Sequence, residues 1–203
     1  NGPGLNQGDG PPARLVAATL EGVVTLERDG AGNAWATTAR SLNERHVGSL
    51  VYEPVSGKLF AGAHADGGLW VSDDGAGADW RALNRGLDRP HIYSLVARRI
   101  GDAVTLFLGT SPAALYRSDD LGESWAEFPS LLEVPGTGKW TFPPPPHIPH
   151  VKHIVAHPQE PETLFVLVEQ GALLKSTDDG KSWTELASYS EPDEIAYRDV
   201  HRL

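Results

Sequence analysis

The chain has 203 residues, 40% of them apolar, enough for one well-buried domain or a short series of stacked units. Its formal net charge of -10 argues against nucleic acid or an anionic membrane surface as partner, since either calls for a basic face. The absence of cysteine excludes disulfides, thiolate metal ligands and a cysteine nucleophile, and no apolar stretch approaches the ~18 residues of a membrane-spanning helix.

Taken in order, residues 1–12 are rich in Gly, Pro and Asn, lack a charged-then-apolar signal pattern, and read as a disordered lead-in. Methionine is absent even at position 1, which suggests an internal fragment or a processed product. From residue 13 onward the chain repeats itself. Residues 13–45 hold an incomplete copy, RLVAATLEGVVTLERDGAGNAW, that closes on Trp35 and lacks a first strand. Three fuller copies follow, over 46–88, 89–135 and 136–190, opening at His46, His91 and His150 and closing at Trp80, Trp125 and Trp183. Residues 191–203 begin a further copy with DVHRL from Asp199.

Each full copy has the same grammar. A first β-rich run (SLVYEP, SLVARR, HIVAHP) and a turn lead to a second run (KLFAGAH, TLFLGTS, TLFVLVE). A small-residue turn precedes a third run (LWVS, LYRS, LLKS), and an Asp/Gly turn precedes a fourth that begins at the Trp. Four short strands in roughly 45 residues is the pattern of a propeller blade, which buries its faces only against neighbouring blades. The expected fold is therefore all-β, a β-propeller of four-stranded antiparallel blades. About four blades leave open edges, so the ring should be completed by further residues, a second copy or another chain.

The closing turns are specific. Ser118, Asp120, Gly122 and Trp125 fit S-x-D-x-G-x-x-W, as do Ser176, Asp178, Gly180 and Trp183; Ser72, Asp74 and Trp80 form the same turn with one extra residue. On these residues, residues 13–203 resemble bacterial Asp-box repeat propellers, a set often called sialidase-like or glycosyl-hydrolase-like. In such a turn the Asp accepts bonds from backbone N–H groups, the Gly takes a left-handed conformation, and the Trp packs as the fourth strand begins. That makes the turn a folding staple rather than a catalytic site, and the resemblance carries no activity by itself.

The other end of the blade is where chemistry is expected. The first strand of a propeller blade lines the central channel, so His46, His91 and His150 should share one level of it, with Asp199 or His201 next around the circle. Imidazoles converging from several strands suit iron, copper or zinc. Carotenoid-cleaving oxygenases and nitrous oxide reductase are similar in arrangement only. The same histidines equally suit a structural role, bonded to neighbouring carbonyls or water, or acid–base work without a metal. His64, His147 and His157 carry less weight, and alternation would set His153 opposite His150.

Long links between fourth and first strands should cover the same face. Residues 126–149 include Trp140, Phe142 and the stiff run Pro143 to Pro146, which could hold the two aromatics over the channel mouth as a substrate pocket with Tyr93. Residues 188–198 bring Tyr189, Glu191, Asp193, Glu194 and Tyr197. The sialidase resemblance implies a Tyr–Glu pair, for which Tyr197 with Glu194 or Glu191 are the candidates; an Arg-Ile-Pro segment and an arginine triad are missing. Three functions stay open: a metal-dependent enzyme acting on a small molecule, a binding propeller for a glycan, peptide or protein, and a sialidase-like glycoside hydrolase.

Overall fold

A computed structural model describes residues 11–30, 34–65 and 67–186. These form four antiparallel sheets, and the only helices among them are two 3-10 turns, Pro129–Glu133 and Thr137–Lys139. The first sheet has three strands, β1 (Arg14–Thr19), β2 (Gly22–Arg28) and β3 (Trp35–Ser41). The second is β4 (Val47–Glu53), β5 (Lys58–Ala63), β6 (Gly68–Ser72) and β7 (Arg81–Ala82). The third is β8 (Ile92–Ile100), β9 (Ala103–Thr110), β10 (Leu115–Ser118) and β11 (Ala126–Glu127). The fourth is β12 (Val151–Ala156), β13 (Leu164–Val168), β14 (Ala172–Ser176) and β15 (Thr184–Glu185). Strands in each sheet pair in sequence order, each to the next, which is the up-and-down meander of a β-propeller blade.

The core lies between sheets rather than within them. Phe60, Leu69 and Val71 of the second blade pack with Ile92, Leu106, Leu108 and Tyr116 of the third. Phe107 and Leu115 of the third pack with Val151, Leu164, Val166 and Leu174 of the fourth. A smaller cluster of Val23, Val47 and Ala61 joins the first blade to the second. Because neighbours cover both faces, second strands read as nearly unbroken apolar runs: Leu106 to Thr110 are all buried. Each fully buried large side chain contributes about 1.5–3 kcal/mol, so a lone sheet, deprived of these partners, would not hold its shape.

The Asp/Gly turns add directional bonds to this packing. Ser118 Oγ donates to Asp120, the Gly122 amide donates to Ser118 Oγ, and both the amide and hydroxyl of Ser124 donate to Asp120. Ser176, Asp178, Gly180 and Ser182 repeat those bonds, and Ser72, Asp74, Ala76 and Gly77 make a looser version. Each closing indole then reaches the preceding blade: Trp80 Nε1 donates to Ser41 Oγ, Trp125 Nε1 to the Leu83 carbonyl and Trp183 Nε1 to Ser130 Oγ. The turn thus staples blade to blade, a reach that local sequence does not reveal.

Candidate functional site

Opposite the Asp/Gly turns, the same backbone bond recurs in three blades. The residue just past the second strand donates its N–H to the carbonyl of the histidine that opens the first strand: His64 to His46 at 2.8 Å, Ser111 to His91 at 2.9 Å, Glu169 to His150 at 3.3 Å. Positions 64, 111 and 169 are therefore equivalent places with different side chains.

A second recurrence lies beside it. In β4, β8 and β12 the register slips by one residue between Val47 and Ser49, Ile92 and Ser94, and Val151 and His153. Each slip is a β-bulge whose extra residues are Gly48, Tyr93 and Lys152. Bulges re-aim side chains, and the bulge residue of the third blade, Tyr93, meets the imidazoles while that of the fourth, Lys152, reaches Glu169. His153 pairs with Leu167 and lines the groove described below.

The result is an imidazole–phenol cluster spanning three blades. The rings of His46 and His64 lie 4.0 Å apart between centroids, and those of His64 and His91 5.3 Å. Tyr93 stacks on His64 at 4.4 Å and on His150 at 3.7 Å, and sits 4.9 Å from His91. The structure thus brings His46, His91 and His150 to one end of the inner strands but puts Tyr93 between His64 and His150. Among the described residues, no group of three or more His, Asp or Glu side chains is placed so that it could hold a metal ion. Asp199, His201, Glu194 and Tyr197 lie outside the described residues.

His64, which carries little weight when read from the residues alone, links the cluster. A Cβ added at Gly48 would collide with His64 Nε2, so this imidazole fits only because the second blade's bulge residue has no side chain. Aligning the second-strand ends (AGAH, LGTS, LVE) would have shown His64 at the place of Ser111 and Glu169. Burial, reinforced by repulsion from His46, His91 and His150, pushes the His64 pKa down to about 3, so the ring is neutral at neutral pH.

His150 has a different environment. It is fully buried, its Nε2 is 2.9 Å from Glu169 Oε2, and Lys152 Nζ is 2.7 Å from the same oxygen. Burial alone would raise Glu169, but Lys152 and His150 hold it below the usual carboxylate range. Burial pushes His150 down to about 4 against the opposing pull of Glu169. An ionised carboxylate only accepts, so the neutral imidazole carries its proton on Nε2 and keeps a lone pair on a buried Nδ1.

The two aromatics of the long link part ways. Phe142 meets His150 edge-on at 4.7 Å, while Trp140 is 8% exposed in the core shared by the third and fourth blades, against the turn at Gly171. Phe142, not Trp140, reaches the imidazoles. Below the cluster, the inner strands line a groove of about 300 Å³ that runs from Tyr93 past Leu50, Val51, Leu95 and Val96 to Arg98.

The architecture and these inner strands define a β-propeller. Three solved structures share the fold. YCF48 bound to D1 peptide matches with TM-score 0.56 and 16% identity, over 86% of this chain and 49% of that one. YCF48 from Cyanidioschyzon merolae matches with TM-score 0.57 and 14% identity, over 89% and 55%. An ancestral GH74 enzyme matches with TM-score 0.58 and 20% identity, over 89% and 23%. The chain therefore spans about half or less of the length of each of these neighbours. No protein-family model and no curated protein matches the sequence.

Proposed function

We propose that this chain is the binding portion of a larger propeller, whose inner-strand face receives an extended peptide segment of a protein partner. The single observation that carries the reading is the groove along β4, β8 and β12, walled by Leu50, Val51, Leu95 and Val96 and ending under the Tyr93 phenol. An apolar trough with a few polar groups at its ends anchors alternate side chains of an extended segment. The YCF48 neighbour bound to a peptide supports this choice over a glycan or small molecule. Further blades, from the same polypeptide or another, would complete the ring. The Asp-box resemblance fits a scaffold role for the turns, whose carboxylates are engaged by their own backbone amides and hydroxyls.

A random-peptide display library panned against the chain in EDTA tests the reading, with recovered sequences resynthesised and titrated by calorimetry. Micromolar binding that weakens at least about tenfold, or about 1.4 kcal/mol, in Tyr93→Ala is expected. Failure to enrich any peptide, or equal affinity for the folded Tyr93→Ala protein, would overturn it.

A further inference from the structure

One strand, β8, gives the groove every residue from Tyr93 to Arg99. Side chains of a strand alternate between its two faces, so a groove lying on one face would meet only every second residue. Both faces of β8 are in fact covered. Leu95 and Ala97 pack on the cluster shared with the second blade, and Val96 on the one shared with the fourth. What β8 turns to the groove is therefore its edge. Its sheet runs β11-β10-β9-β8, so that edge carries no further strand among the described residues. The pairing also fixes which groups stand there. Thr110 of β9 donates its N–H to the Ala114 carbonyl, on the side away from β8. Alternation then turns Phe107, Thr105 and Ala103 toward β8, where their partners are Val96, Arg98 and Ile100. The N–H and C=O groups of Leu95, Ala97 and Arg99 accordingly face the groove, about 6.8 Å from one pair to the next.

We infer that the peptide joins the third blade as a fifth strand, paired through its own backbone with Leu95, Ala97 and Arg99. This deepens the peptide reading and rests on it. An open strand edge is a row of donors and acceptors that an extended chain matches group for group. Backbone groups are alike in every sequence, so the edge supplies affinity, while Leu50, Val51 and Tyr93 beside it choose among side chains. The segment taken is extended over the five places from Leu95 to Arg99 and carries no proline where its amide must donate to the edge.

The test is an N-methyl scan of a peptide recovered by the panning, titrated against the wild type. One N-methyl group removes one amide donor and leaves every side chain in place. Affinity should fall at least about tenfold at alternate positions and hold at those between. On the protein, Ala97→Pro removes a groove-side N–H and sets a ring carbon on the edge, while the bonds from Val96 and Arg98 to β9 remain. It should weaken the same peptide at least about tenfold with the far-UV spectrum unchanged. Uniform tolerance of N-methylation, or wild-type affinity in the folded Ala97→Pro protein, overturns strand addition and leaves the peptide reading standing. Failure of any peptide to bind the wild type removes both. Should Ala97→Pro not fold, the methylation scan decides alone.

Discussion

Arg98 of β8 and Asp179 of the fourth blade meet at 2.5 Å across a blade boundary. The same carboxylate accepts from Arg117 of β10 at 2.5 Å, and Arg98 also donates to the Pro161 carbonyl at 2.6 Å. One aspartate therefore ties two strands of the third blade to the fourth. Burial would raise its pKa, but the two guanidinium groups hold it below the usual carboxylate range.

Replacing Asp179 with Asn should show what this tie contributes. Asn tolerates the left-handed backbone at this position (φ 59) yet leaves Arg98, whose side chain is 6% exposed, without its counter-charge. The expected loss is about 2 kcal/mol, below the range for fully buried pairs because the Asp179 side chain is 21% exposed. A urea midpoint measured at unchanged slope reads it directly. Asp102→Asn, at a fully exposed partner of Arg99, should cost less than about 0.5 kcal/mol. Equal effects from the two would make Asp179 a bystander.

Acid should loosen the Asp/Gly turns. Hydrogen bonds from the hydroxyl and amide of Ser182, then from Ser176, hold Asp178 down to about 2 from its ordinary 3.8. A folded pKa below the unfolded one means stabilisation that is complete above about pH 4 and fades as pH falls toward 2. Denaturant midpoints across that range should therefore fall less steeply for Asp178→Asn than for wild type, with Asp178→Asn already weaker at neutral pH. Parallel curves would show that the turn does not couple folding to this ionisation.

The indole of Trp125 separates packing from hydrogen bonding. It is 6% exposed and donates to the Leu83 carbonyl at 3.1 Å. Trp125→Phe keeps an aromatic ring and loses the bond, at about 1 kcal/mol; Trp125→Ala also opens a cavity between blades, at about 3–5 kcal/mol. If thermal melts place the two variants together, the hydrogen bond rather than the ring holds the blades.

The second strand of one blade comes close to the first strand of the next at Gly62 and Gly109, which are equivalent. A Cβ at Gly109 would press on Ser94 Oγ and on Val151 of the next blade. Ser94 Oγ there donates to the Val151 carbonyl at 2.8 Å. Gly109→Ala should destabilise by about 1–3 kcal/mol through overpacking. Exposed Gly138→Ala, where an added Cβ meets nothing, is the control. A neutral Gly109→Ala melt would mean the blades can part without cost.

What was legible in the sequence was local. The Asp/Gly turns, the strand runs and the strand-opening histidines each lie within one short segment, and periodicity exposes them. What was illegible depends on neighbours. His64 matters because Gly48, on a different strand, leaves it room and because Tyr93 of another blade stacks on it. Trp140 reads as a pocket wall when only its polyproline flank is considered, yet the turn at Gly171 gives the ring a buried slot.

The amide-to-carbonyl bonds from positions 64, 111 and 169 involve no side-chain atom. Their frame is thus indifferent to what it displays, and an imidazole, a hydroxyl and a carboxylate already occupy the three places. Exchanging one of them, together with the bulge residue that makes room for it, rewrites the chemistry of that sector while the strands beneath keep their register. The face behaves as a board with interchangeable fittings, each open to revision one blade at a time.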